Sequence, residues 1–187
     1  PVPGTVLDLA PADFDHDGDL DIAVTTLAGT NNIFVWTNDS TGFFTQTVSL
    51  PLIWCEHLDA GDVNGDGHAD IVLAATRVTM QIWHGDGLGG FTFAANSFPF
   101  TFRGVDSSRL SLQLADLDGD GALDIVTAKW DIGLELYLND GGGVFRDGRA
   151  ELGFGSYSNY LIAFAAHLHF LLIFVPGTYF PNSIGVL

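Results

Sequence analysis

An acidic stretch of nine residues occurs three times in the chain and constrains its architecture more than any other feature. The copies are DFDHDGDLD from Asp13, DVNGDGHAD from Asp62 and DLDGDGALD from Asp116, so they begin 49 and 54 residues apart. After each copy come an apolar, β-prone run, an alternating segment and a glycine-rich turn that closes on an aromatic residue. A period of this length predicts one supersecondary unit repeated along the chain.

Each repeat contains four short segments with the pattern of β-strands, and no helical periodicity separates them. The run after each acidic stretch is apolar on both faces, as expected for a strand enclosed between two neighbouring sheets. These runs are IAVTT from Ile22, IVLAA from Ile71 and IVTAK from Ile125. The sequence therefore predicts an all-β fold of β-propeller-type blades, each with four antiparallel strands. Three blades are recognisable, at about residues 4–53, 54–104 and 105–150, which predicts an incomplete or oligomer-completed propeller.

The acidic loops place oxygen-bearing side chains at alternate positions. In the order of the three loops, position one holds Asp13, Asp62 and Asp116, position three holds Asp15, Asn64 and Asp118, position five holds Asp17, Asp66 and Asp120, and position nine holds Asp21, Asp70 and Asp124. Position six is always glycine, which permits the tight curl that convergence of these side chains needs. Position seven varies among Asp19, His68 and Ala122, which suits a ligand that is a backbone carbonyl.

Hard, flexible oxygen ligands in this number suit Ca²⁺ better than Mg²⁺ or Zn²⁺. The sequence therefore predicts about three calcium ions, one per loop. An EF-hand would need a glutamate at position twelve, where this chain has Val24, Leu73 and Thr127. The apolar strand after each loop also argues against a dockerin helix.

The pattern D-x-D/N-x-D-G-x-x-D, followed by an apolar strand and a glycine-aromatic turn, resembles the FG-GAP/VCBS repeat of integrin-α-like β-propellers over about residues 5–150. The resemblance implies a calcium ion in each loop and an extracellular or cell-surface setting. Propellers of this kind have about seven blades, whereas three are recognisable here.

The charge of the chain favours cations as partners. Its formal net charge is −17, from 23 acidic and six basic residues, which argues against nucleic acid and anionic membranes as partners. The one cysteine, Cys55, allows no intrachain disulfide and no thiolate zinc site, and we interpret it as a buried apolar residue. The start PVPG, without a methionine or a leader, indicates a mature or truncated product.

Catalytic motifs are not recognised in the sequence. Glu56 and His57 are adjacent, and neighbouring residues of a strand point to opposite faces, so a shared acid/base or zinc site is disfavoured. Four tryptophans offer sugar stacking or blade packing, of which we favour packing; they are Trp36, Trp54, Trp83 and Trp130. Asn38 begins an N-glycosylation sequon in a predicted turn.

The tail at residues 151–187 departs from the repeat. The run YLIAFAAHLHFLLIFV, residues 160–175, is almost continuously apolar but contains 16 residues, whereas a membrane-spanning helix needs about 20. Membrane spanning is therefore not expected. Three interpretations stay open: strands of a partial fourth blade without an acidic loop, an interface segment, or the product of a truncated or misassigned reading frame. Buried β structure or a subunit contact is favoured.

These features lead us to expect a non-catalytic, calcium-binding extracellular β-repeat module for adhesion or structural assembly, including a subunit of a surface assembly or fibre. Its expected partners are calcium, a protein or glycan ligand at the cell surface, and either further copies of itself or the rest of a longer chain. The alternative is a propeller scaffold of a secreted polysaccharide lyase or a similar carbohydrate-active enzyme. That function calls for basic residues around a cleft, and the chain has six Lys and Arg in all.

Overall fold

The described part of the chain consists of β-strands and the loops between them. The computed structural model describes residues 4–27, 32–51, 55–75, 80–94, 110–129, 133–148, 161–164 and 171–174. The first sheet contains β1 (Thr5–Ala12), β2 (Asp21–Leu27), β3 (Asn32–Asn38) and β4 (Phe44–Pro51). The second contains β5 (Cys55–Gly61), β6 (Asp70–Ala75), β7 (Met80–Gly85) and β8 (Phe91–Phe93). The third contains β9 (Leu110–Ala115), β10 (Asp124–Lys129), β11 (Gly133–Asn139) and β12 (Phe145–Asp147).

Each of these sheets is an antiparallel meander whose strands pair in chain order. None of the three closes into a barrel, and no helix occurs within the described ranges. The predicted all-β fold with blades of four antiparallel strands is therefore confirmed. The acidic loop joins the first strand to the second, and the glycine turn joins the third to the fourth. Antiparallel pairing puts both at the same edge of a sheet, which we call the loop edge.

The core lies between the sheets rather than within one. A first cluster of buried residues joins Ala23 and Val35 of the first sheet to Ile71 and Leu73 of the second. A second cluster joins the opposite face of the second sheet, at Val72 and Ala74, to the third sheet. The strand β6 is thus buried on both faces, as its sequence predicts. Each fully buried valine, isoleucine or leucine side chain contributes about 1.5–3 kcal/mol, so the blades stabilise one another.

Side-chain hydrogen bonds also join the first strands of neighbouring blades. Asp8 Oδ2 of β1 accepts a hydrogen bond from Leu58 N of β5 at 3.2 Å and lies 3.1 Å from Nδ1 of His57. Asp59 Oδ2 of β5 accepts one from Leu114 N of β9 at 2.8 Å. Burial raises the pKa of Asp59, and the charge of Asp8 adds to that shift. These carboxylates therefore tie each blade to the next at the expense of desolvating a charge.

The structure describes part of the tail, the single cysteine and Trp83. In the tail, β13 (Leu161–Phe164) and β14 (Leu171–Phe174) form an antiparallel pair. The rest of residues 151–187 lies outside the described residues, so the proposed fourth blade and interface segment stay predictions. Cys55 is buried, as expected. Trp83 packs on Phe93 with ring centroids 5.2 Å apart, which supports packing for this tryptophan, whereas Trp54 and Trp130 lie outside the described residues.

A helix with the length and apolarity needed to cross a lipid bilayer is not found among the described residues.

Candidate metal centres

The aspartate at position one closes each acidic loop by accepting backbone hydrogen bonds from inside it. Asp13 Oδ2 accepts from Gly18 N at 3.0 Å, and Asp116 Oδ2 accepts from Gly121 N at 3.1 Å. The second loop has the same bond, from Gly67 N to Asp62 Oδ2 at 2.8 Å. The glycines at position six have φ values of 95°, 88° and 93° in chain order, in the left-handed region that other residues rarely adopt. The predicted need for glycine at position six is confirmed.

The aspartate at position nine fastens the acidic loop to the end of the third strand. Its side chain is fully buried in all three loops, at Asp21, Asp70 and Asp124. One oxygen accepts a hydrogen bond from the backbone N–H at position two and the other from the last residue of the third strand. The position-two bonds are Phe14 N to Asp21 at 2.9 Å, Val63 N to Asp70 at 3.0 Å and Leu117 N to Asp124 at 2.7 Å. The third-strand donors are Asn38, Gly85 and Asn139. Position nine is therefore a structural clamp, a role that the ligand pattern did not predict.

The structure brings together three carboxylates in the first loop and three in the third. Oxygens of Asp13, Asp15 and Asp21 lie within 4.8 Å of one another. In the third loop the corresponding group is Asp116, Asp118 and Asp120. Of the remaining predicted ligands, Asp17 and Asp124 lie outside these groups, and no such group of three is found in the described second loop. The two compact groups have the oxygen chemistry that calcium prefers.

Asp15 gives the clearest indication that the first group needs a cation. Its Oδ1 is buried and has no hydrogen-bond partner among the described residues. Burial raises the pKa of Asp15, and the nearby charges of Asp21 and Asp17 raise it further. A buried carboxylate oxygen without a donor is costly unless a cation or a proton compensates it. The donor set of the first loop therefore fits a hard divalent cation.

The second loop differs because an amide and a histidine enter the ligand positions. Asn64 Nδ2 donates to Asp66 Oδ2 at 3.0 Å and lies 3.1 Å from Nδ1 of His84. The same histidine nitrogen lies 3.3 Å from Asp70 Oδ1. Burial raises the pKa of Asp70, although hydrogen bonds and His84 oppose that shift. A cation in this loop would have to replace internal hydrogen bonds that the other two loops do not make.

Position seven differs in its side chain but not in its backbone. The N–H groups of Asp19, His68 and Ala122 each donate to the aspartate at position five, at 2.9, 2.9 and 2.8 Å. The Asp19 carboxylate accepts a hydrogen bond from the Ser40 hydroxyl, and the His68 ring lies against Gly87. The side chains at position seven therefore do not share a role. Coordination by the carbonyl at position seven stays a prediction.

A second set of aspartates, outside the predicted ligand positions, shapes the glycine turns at the loop edge. Asp39, Asp86 and Asp140 each use Oδ1 to accept backbone hydrogen bonds from the turn that follows, for example from Leu88 N at 2.9 Å and Gly90 N at 2.8 Å in the second blade. The Leu88 bond is the main cause of the lowered pKa of Asp86. The signal in the sequence is the recurrence of these residues in phase with the acidic loops.

The acidic loop of each of the first two blades packs against the glycine turn of the next blade. Gly89 N donates to the carbonyl of Phe14 at 3.1 Å, and Asn139 Nδ2 donates to the carbonyl of Val63 at 2.8 Å. Phe14 and Val63, at position two, are each 1% exposed, whereas Leu117 of the third loop is only partly buried. Covering by the following blade therefore distinguishes the first two loops from the third.

An open cleft of about 310 Å³ lies where the second and third loops meet. Asp62 and Gly65 line it from the second blade, and Asp120, Asp140 and Gly141 line it from the third. The cleft gives solvent access to carboxylates of both loops.

Comparison with known proteins agrees with this geometry. A search of curated proteins found no significant match to the chain. A family model described as the FG-GAP-like repeat matches residues 13–73 and again residues 62–127, which together include the three acidic loops. The chain belongs to the FG-GAP-like repeat family.

Proposed function

We propose that this chain is a calcium-binding, non-catalytic β-repeat module that acts in adhesion or structural assembly outside the cell. The observation that carries the proposal is the first acidic loop, where Asp13, Asp15 and Asp21 converge and one buried oxygen of Asp15 has no donor among the described residues. A calcium ion supplies positive charge and accepts oxygen ligands in flexible geometry. The FG-GAP-like repeats support an extracellular setting.

The residues that would hold the ions are the non-backbone ligand positions of each loop. In the first loop they are Asp13, Asp15, Asp17 and Asp21, in the second Asp62, Asn64, Asp66 and Asp70, and in the third Asp116, Asp118, Asp120 and Asp124. Each ion adds two positive charges, so three ions would change the formal charge of −17 to −11. Relief of repulsion among clustered carboxylates is therefore the main expected effect on the protein.

The test is calcium titration by calorimetry, combined with thermal unfolding in calcium and in excess EGTA. At calcium 100-fold above its Kd, each independent site that binds only the folded state adds about 2.7 kcal/mol to stability. Asp15→Asn should weaken binding to the first loop. Asp39→Asn is the matched control, since Asp39 lies in a glycine turn of the same blade and belongs to neither carboxylate group. Superimposable melts with and without EGTA would contradict a structural role for calcium.

The adhesive role needs its own experiment because calcium binding alone does not identify a ligand. A glycan array should be combined with lyase assays on the same polysaccharides, both in saturating calcium. Binding without turnover supports a module for adhesion. Unsaturated sugar products would instead support the enzyme alternative.

A further inference from the structure

Two histidines from neighbouring blades meet between the first and second acidic loops. His16 occupies position four of the first loop, and His68 occupies position seven of the second. Their rings stand edge to face, with centroids 5.6 Å apart and an interplanar angle of 86°. Calcium takes oxygen ligands, so the proposed calcium sites give these imidazoles no role.

The backbone at His16 is strained, which makes a histidine at this position unexpected. Its φ is 62°, in the left-handed region. The same position is Gly65 in the second loop and Gly119 in the third, with φ values of 77° and 83°. Glycine adopts this conformation without the steric conflict that a Cβ introduces. A strained residue of this kind motivates the hypothesis that its side chain has a function.

The surroundings of His68 favour a cation near the pair. Its Nδ1 is buried, and no hydrogen-bond partner for it occurs in the described part of the chain. The ring is held against Gly87 of the next glycine turn. The carboxylates of Asp66 and Asp86 interact electrostatically with this histidine. The negative charge of these two carboxylates therefore raises the local concentration of cations near His68.

The separation of the rings is close to that of two imidazoles on one metal ion. A tetrahedral ion bonded to two imidazole nitrogens at about 2.0–2.1 Å places the ring centroids about 5 Å apart. The observed separation of the two ring centroids, 5.6 Å, is slightly larger. Imidazole nitrogen selects borderline metals such as Zn²⁺, Co²⁺ and Ni²⁺, whereas Ca²⁺ and Mg²⁺ prefer carboxylates.

We propose that His16 and His68 form a site for one borderline divalent cation that bridges the first and second blades. Neither histidine belongs to a group of three protein ligands within 4.8 Å among the described residues, so water completes the coordination. The site uses imidazole side chains, which are not among the predicted calcium ligands, and does not depend on the proposed function.

The test is titration with Co²⁺ in saturating calcium, followed by calorimetry and by visible absorption, with Zn²⁺ as the competitor. The full chain should bind one Co²⁺ that Zn²⁺ displaces. His16→Gly and His68→Ala introduce the residues that other loops of this chain have at the same positions, Gly65 and Ala122, so both variants should fold. Each should weaken Co²⁺ binding by about tenfold or more, because second-shell changes alone cost 10–100-fold.

Two controls separate this site from the calcium loops and from unfolding. His57→Gln removes a histidine that pairs with Asp8 and lies outside the His16–His68 contact, and it should leave Co²⁺ binding unchanged. His16→Gly should raise the melting temperature in the absence of Co²⁺, since it removes backbone strain. The proposal is overturned if calcium-saturated protein binds no Co²⁺, or if the double variant binds it as tightly as the wild type. Loss of calcium binding with retained Co²⁺ binding would refute only the proposed function.

Discussion

Replacing Asp124 with alanine should destabilise the fold even when no calcium is present. Its two oxygens accept hydrogen bonds from Leu117 N at 2.7 Å and Asn139 N at 2.8 Å, and its side chain is fully buried. A hydrogen bond to a charged group contributes about 1.5–3 kcal/mol, so the loss of two costs about 3–6 kcal/mol. Burial raises the pKa of Asp124, so removal of the charge offsets part of that cost. We expect a net loss near 3 kcal/mol, out of a total stability of about 5–15 kcal/mol.

The assay is urea unfolding in EGTA, and the matched control is Asp120→Ala. Asp120 is an exposed residue of the same loop, and its carboxylate accepts one backbone bond, from Ala122 N at 2.8 Å. That change should cost about 1 kcal/mol or less, because water replaces an exposed partner. If the two variants lose the same free energy of unfolding in EGTA, the structural role of position nine is refuted and metal coordination is left as its only role.

Three further predictions follow from the second loop, the blade contacts and the exposed third loop. The second loop should fill last in a stepwise calcium titration, since Asn64 leaves it three carboxylates; an Asp62→Ala variant with an unchanged weakest step would contradict this order. Burial raises the pKa of Asp59 above the unperturbed 3.8, so its charge opposes folding at neutral pH and this cost is lost as the pH falls through the raised value. The stability of Asp59→Asn relative to the wild type should therefore be highest at neutral pH and lower in acid. A difference between their urea midpoints that does not change with pH would contradict this prediction. A following blade covers each of the first two loops, whereas the third acidic loop has exposed ligands, so we expect a second copy of the chain to cover it in calcium. Light scattering that finds a stable monomer of 20.0 kDa would argue against this self-association.

The repeating strands and loops could be predicted from sequence because their signals are local and occur three times. The apolar run from Ile71 is apolar at consecutive positions, and the structure buries it on both faces between two sheets. The glycines at position six likewise meet a backbone requirement that the loop pattern contains. Local pattern and tertiary structure agree at these sites, which is typical of a consistent fold.

The roles that escaped prediction depend on partners distant in sequence. Asp21 has the sequence pattern of a ligand, but one of its bonds comes from Asn38, 17 residues later, across the sheet. The contact of His16 with His68 joins two blades, and nothing in either loop alone indicates it. The hydrogen bond from Asn139 to Val63 spans 76 residues. Such pairings follow from how blades stack, which a periodic pattern does not specify.

The packing of each acidic loop against the following glycine turn gives the array a polarity. Asn139 of the third blade covers the second loop at Val63, and Gly89 of the second blade covers the first loop at Phe14. Coupling between nearest neighbours is usual in repeat proteins, but here the first and second loops each depend on the repeat that comes after them. Shortening the chain from its C-terminal side would therefore uncover the loop of the last remaining blade each time a blade is removed. Removal of the first blade from the N-terminal side would instead leave the cover of the second loop in place.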